Sequence, residues 1–123
     1  MKSLSVLILL ILSTCTHTFA TQKQTVSKDK LSVSFFSKGS GIDLKKRGEF
    51  DLYLKEFEKK EHLSLAVEQI KWGREGEVDY CIELKPLSKK KCKRLIAGAN
   101  LLLGNASLVH VSQTDACKKA MGR

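Results

Sequence analysis

A single proline, Pro86, interrupts this chain of 123 residues, and its eight glycines are scattered. That scarcity excludes collagen-like, proline-rich and low-complexity architectures. No segment repeats another, which removes solenoids and propellers. No apolar run reaches the roughly 20 residues that a permanent membrane span needs. Acidic side chains are also in short supply, with 13 against 22 basic ones, giving a formal charge of +9. Such a surface disfavours cationic partners and favours lipid headgroups, acidic polysaccharide or nucleic acid. Ligand spacing for a metal is missing too: His62 and His110 fall in separate elements, and no cysteines stand as a close pair. The residues imply neither a metal nor a cofactor.

What is present begins with a leader. Lys2 supplies a positive start, Leu4 to Leu12 are apolar apart from Ser5, and Thr18-Phe19-Ala20 matches a small-x-small cleavage site. Residues 1–20 therefore read as a signal peptide cut after Ala20, making the chain an exported, periplasmic or secreted protein. The alternative is a lipoprotein anchored through Cys15, after Leu12-Ser13-Thr14. Thr14 departs from that pattern, so the small-residue site is the better match. Removing Lys2 with the leader leaves a charge of +8. Residues 21–30 are polar and patternless, a flexible lead-in. Residues 31–117 have the length and patterning of one α+β domain, and 118–123 form a basic tail.

Within that domain the apolar period changes from two to 3.6 and back. Leu31, Val33 and Phe35 alternate with polar neighbours as a strand does. Ser40-Gly41-Ile42-Asp43 reads as a capping box opening a helix whose stripe is Phe50, Tyr53, Leu54 and Phe57. Asp51 with Lys55 and Glu56 with Lys60 form i,i+4 pairs on its wet side. Leu63, Leu65 and Val67 alternate next, then Ile70 and Trp72 out of phase with them. The turn Gly73-Arg74-Glu75-Gly76 leads into Val78, Tyr80, Ile82 and Leu84. Pairing Gly73 with Glu77 sets Trp72 opposite Val78 and Ile70 opposite Tyr80 on the core face, which requires a β-bulge near Glu68. After Pro86, Ser88 caps a second helix with Cys92, Leu95, Ile96, Ala99, Leu102 and Leu103 on its stripe, and Leu108 to Val111 form a last strand. The order β-α-β-β-α-β implies a ferredoxin-like sandwich, a four-stranded antiparallel sheet with both helices on one face.

That architecture sorts the cysteines. Cys92 falls on a buried helical stripe, whereas Cys81 alternates with core residues and so points to the face without helices. Cys117 follows the last strand, and a Cys81–Cys117 disulfide would tie the tail across the open sheet. The long loop makes such a bond worth on the order of 3 kcal/mol.

Function is less legible. RNA-recognition domains stack bases on aromatics of the central strands, but here the third-strand row is Glu77, Asp79, Cys81 and Glu83, with only Phe36 offering a ring on the first strand. Heavy-metal-associated domains place two cysteines in the first loop and acylphosphatases an arginine; this loop has neither. Asp79, Cys81 and His110 share the open face only if His110 has the right phase, and a thiol nucleophile would need Cys81 reduced. Asn105-Ala106-Ser107 is a glycosylation sequon, relevant only in a eukaryotic secretory pathway. Three surfaces remain. Lys38, Gly39, Ser40 and Gly41 form a glycine loop before a helix, able to cradle an anion in a small hydrolase or transferase. Lys45, Lys46 and Arg47, with Lys89, Lys90, Lys91, Lys93 and Arg94, make the helical side basic. The lysines of the second helix oppose its macrodipole. Arg74 marks a hairpin tip, where a protease inhibitor or chaperone-like module would make contact. The reading that follows is a non-catalytic exported domain engaging an anionic surface or a protein partner.

Overall fold

The computed structural model describes residues 28–113 and Cys117. The leader, Cys15, most of the lead-in and the basic tail lie outside the described residues. Six elements follow in the order β1 (Lys30–Phe35), α1 (Leu44–Glu61), β2 (Val67–Lys71), β3 (Val78–Glu83), α2 (Lys89–Leu103) and β4 (Val109–Ser112). The strands form one antiparallel sheet of order β2-β3-β1-β4. The alternation along β1 and β3 directs Leu31, Val33, Phe35, Val78, Tyr80 and Ile82 into a single core. Phe50, Leu54 and Phe57 of α1 and Leu95, Ala99 and Leu103 of α2 complete it. The chain is thus α+β, with both helices packed on one face of the sheet.

Helix boundaries follow local chemistry. Helix α1 is capped by Asp43, whose Oδ1 accepts from the Lys46 amide at 2.9 Å, so the cap lies three residues later than the Ser40 expected from sequence. A carboxylate three residues before a free amide caps as well as a hydroxyl, and Gly41 at φ 86° keeps Ser40 outside the helix. At the far end His62 adopts a left-handed conformation (φ 51°), and the Leu63 amide reaches back to the Glu58 carbonyl. Ser88 caps α2 as expected, accepting from the Lys91 amide at 3.3 Å. The two helices approach closely where Gly98 faces the Tyr53 ring; a side chain there would overlap Tyr53. The Tyr53 hydroxyl donates to the Leu95 carbonyl at 2.9 Å.

The hairpin corrects the register expected from sequence. Val67 stands opposite Ile82 and Ile70 opposite Asp79, without interruption, so β2 carries no bulge. The Trp72 amide donates to the Glu77 carbonyl, leaving four residues, Gly73 to Gly76, in the loop. Both of those glycines have positive φ. A loop one residue longer than assumed shifts the register by one and reverses every side chain of the incoming strand. Val67 therefore keeps the phase of Leu63 and Leu65 and packs on the core, while Ile70 and Trp72 turn to the reverse face.

Inside the core, Tyr80 carries a polar end that is fully hydrogen-bonded. Its hydroxyl donates to Asp51 Oδ1 at 2.6 Å and accepts from Arg47 Nε at 3.1 Å. Burial, reinforced by the Asp51 hydrogen bond, raises the Tyr80 pKa above its usual 10.0; burial alone does the same for Tyr53. A tyrosine with a raised folded pKa contributes stability that is intact below pH 10 and is lost as pH rises through the folded value. Unfolding midpoints in urea are therefore expected to hold from pH 7 to about 9.5 and to fall steeply above about 10.5. Tyr80→Phe should cost about 1 kcal/mol at pH 7 and flatten the alkaline fall. An alkaline limb unchanged in that variant would refute the assignment.

Candidate functional site

The reverse face of the sheet holds a polar cluster that sequence reasoning did not assemble. Asp79, in the middle of β3, is only 1% exposed. Its Oδ1 accepts from Trp72 Nε1 at 2.7 Å and from Ser34 Oγ at 2.6 Å. Ser34 is paired on its other side with His110 of β4, so Ile70, Asp79, Ser34 and His110 make one cross-strand row. The neighbouring row is Glu68, Cys81, Ser32 and Ser112. Cys81 and Cys117 stand at disulfide distance, their Cα atoms 5.8 Å apart, as the alternation argument required. The remaining described cysteine, Cys92, is half-buried, its thiol 3.4 Å from the Leu84 carbonyl. Asp79, Cys81 and His110 do share a face, but Cys81 is engaged with Cys117 and the Ser34 hydroxyl points to Asp79. The geometry is that of a closed structural cluster rather than a nucleophile with its base. Phe36 is half-buried.

The glycine loop folds around the Ser37 hydroxyl. Ser37 Oγ accepts from the amides of Gly39 (3.0 Å) and Gly41 (2.9 Å), and it also contacts the Glu75 carboxylate. Of the anion cradle expected at Lys38, Gly39, Ser40 and Gly41, the amides of Gly39 and Gly41 are thus engaged with Ser37, beside an acidic side chain. In the adjoining hairpin tip, the buried Glu77 carboxylate accepts from the Glu75 amide at 2.8 Å, which stiffens the turn. Arg74 and Lys38 project into solvent from these two loops.

The basic residues divide into two groups. Arg47 is bound to Tyr80, and Lys46 pairs with Glu49 at 2.7 Å. On α2, Arg94 holds Glu61 through two parallel contacts of 2.9 and 3.0 Å, and Lys91 Nζ donates to the Glu61 carbonyl at 3.0 Å. Glu61 ends α1, and its side chain is only 7% exposed, so this clamp fastens the end of α1 to the start of α2. Planar two-point recognition and a cation on terminal helix carbonyls both stabilise such a junction. Lys91 and Arg94 thus both engage Glu61. Lys89, Lys90 and Lys93 remain exposed, and the clamp brings them to the end of the helical layer that carries Lys59 and Lys60, in the last turn of α1. From sequence, Lys60 was noted only as the partner of Glu56, and Lys59 was not singled out. The signal for them lies in Glu61, whose place at the end of α1 sets it against the basic start of α2.

Two hollows flank α1. One, of about 480 Å³, lies between the helices and is lined by Glu49, Leu52, Tyr53, Glu56, Leu101 and Leu102 around Gly98. The other, of about 370 Å³, lies between α1 and β2. Among the described residues, no group of three or more metal-ligating side chains is gathered. No helix among them is long and apolar enough to cross a membrane. Comparison with protein-family models, with curated proteins and with solved structures found no match to this chain.

Asp79→Ala removes the acceptor of two donors in a closed cluster, and each stranded group costs about 1–3 kcal/mol. The variant should lose about 3 kcal/mol in urea unfolding. Trp72 is the only tryptophan, so the same experiment reads this cluster through its fluorescence. An unshifted emission maximum together with wild-type stability would rule out the cluster as a structural lock.

Proposed function

We propose that the chain is an exported, non-catalytic binding domain that engages an anionic surface through the basic end of its helical layer. The observation carrying this reading is the convergence of exposed Lys59 and Lys60 with Lys89, Lys90 and Lys93 around the clamp that engages the Glu61 carboxylate. Three consecutive lysines begin α2, and no acid stands in its first turn, against the preference of the helix dipole. A local cost of that kind is expected where binding, rather than helix stability, sets the residues. The leader pattern and the cysteine pair both support export, since disulfides persist in oxidising compartments. Read from its other edge the sheet order is β4-β1-β3-β2, all antiparallel, which supports a ferredoxin-like sandwich. That fold carries no activity of its own.

Phospholipid vesicles with and without anionic headgroups provide the test. Binding is expected only to the anionic vesicles and should weaken as salt shortens the Debye length. Each lysine near such a surface contributes about 1 kcal/mol, so replacing Lys89, Lys90 and Lys93 with alanine should weaken binding about 100-fold. Lys91→Ala should instead lower thermal stability, because it releases the α1 terminus. Binding that survives the triple variant, or that ignores salt, would exclude this surface.

A further inference from the structure

One motif serves neither the core nor the basic end. Asn105-Ala106-Ser107 is the only N-x-Ser/Thr sequence of the chain, because the other asparagine, Asn100, is followed by two leucines. It lies in the turn between the end of α2 at Leu103 and the start of β4 at Val109. Its middle residue anchors that turn. The Ala106 amide donates to the Leu103 carbonyl at 2.9 Å, and the Ala106 carbonyl accepts from the Val109 amide at 3.4 Å. Ala106 is half-buried, whereas Asn105 and Ser107 on either side of it are exposed. Neither of those two side chains has a hydrogen-bond partner among the described residues. An asparagine just after a helix is commonly explained by a left-handed backbone, yet His62 is the only non-glycine described residue with positive φ. The fold itself therefore gives no packing, hydrogen-bonding or conformational reason for asparagine at 105 with a hydroxyl at 107.

We infer that Asn105 is the acceptor for an N-linked oligosaccharide. This rests on the export reading and is independent of binding at the basic end. The donor is an oligosaccharide carried on a polyprenyl diphosphate in the membrane of a eukaryotic secretory compartment. Asn105 Nδ2 attacks the anomeric carbon of the first sugar, and the new carbon–nitrogen bond forms as the carbon–oxygen bond to the diphosphate breaks. The diphosphate leaves with that electron pair, and a base of the transferase takes the amide proton. The hydroxyl two residues on marks the asparagine for transfer, and proline between them forbids it; here Ser107 supplies the hydroxyl and Ala106 the permissive middle residue. Exposure of both side chains lets a bulky hydrophilic group leave the surface without disturbing the core. Helix α2 has 15 residues, about 22 Å at 1.5 Å per residue, and the motif follows its C-terminal end. The sugar therefore projects from the end of the helix remote from Lys89 and Lys90, and leaves the basic end uncovered.

Secretion of the full chain, leader included, from a cultured eukaryotic cell tests the acceptor. The secreted protein is expected to carry one discrete increase in mass that peptide N-glycosidase removes, leaving aspartate at position 105. Asn105→Gln and Ser107→Ala should each abolish the increase, whereas Ser107→Thr should retain it. All three variants should keep the wild-type circular-dichroism melt, because both positions lie outside the core. Anionic vesicles should bind the protein before and after removal of the sugar with constants within about threefold of each other. A secreted chain without the added mass, or a mass increase that survives Ser107→Ala, would overturn the assignment. A second version, with residues 1–20 replaced by a leader of known function, separates the two premises. Glycosylation of that version alone would sink the export reading and keep Asn105 as the acceptor; absence of the sugar from both would sink the acceptor.

Discussion

Strand β3 is buried on both of its faces, and the rest of the structure answers that constraint. Val78, Tyr80 and Ile82 face the helices, while Glu77, Asp79 and Cys81 face the other way and are also shut off from water. A two-layer sandwich normally leaves the reverse of its sheet to solvent. Here the centre of that reverse side is closed by Ile70 and Trp72 from the neighbouring edge strand and by Cys117 from the chain beyond β4. A carboxylate in such a place is tolerable only when its oxygens are hydrogen-bonded. Trp72 and Ser34 both spend their donors on Asp79, so the cluster fixes three strands at once. The core side repeats the solution with Tyr80, whose hydroxyl is held between Asp51 and Arg47. Polar groups on both sides of one strand specify its neighbours more narrowly than apolar packing alone, because any slip would strand them.

Much of the positive charge is committed in the same way. Arg47 serves Tyr80, Lys30 meets Glu83 at 2.8 Å across β1 and β3, and Arg94 with Lys91 fastens Glu61. These contacts join elements distant in sequence, and their geometry leaves little freedom to meet another molecule. What remains is unevenly distributed. The junction between the end of α1 and the start of α2 gathers uncommitted lysines, whereas the hairpin tip offers Arg74 beside Glu75 and Glu77. A surface is recognised by charge that the fold has not already neutralised. Net charge from composition overstated the available face and did not locate it.

The order of elements and most of the core were legible in the residues because periodicity follows directly from backbone geometry. The stripe Phe50, Leu54 and Phe57 and the alternation Val78, Tyr80 and Ile82 each depend on one element alone. The Cys81–Cys117 pairing was legible for the same reason, since it needed only the phase of β3. Hairpin register was not, because it depends on how many residues the turn consumes. Two glycines with positive φ accommodate a four-residue loop as readily as a shorter one with a bulge, and the choice decides which face receives Trp72. The expected bulge near Glu68 was a consequence of the wrong loop length. Placing Ile70 and Trp72 in the main core also hid the Asp79 cluster, whose donors come from strands far apart in sequence. In the glycine loop, the contacts of the Gly39 and Gly41 amides with Ser37 depend on how the backbone turns at the two glycines, which no spacing of residue types reveals.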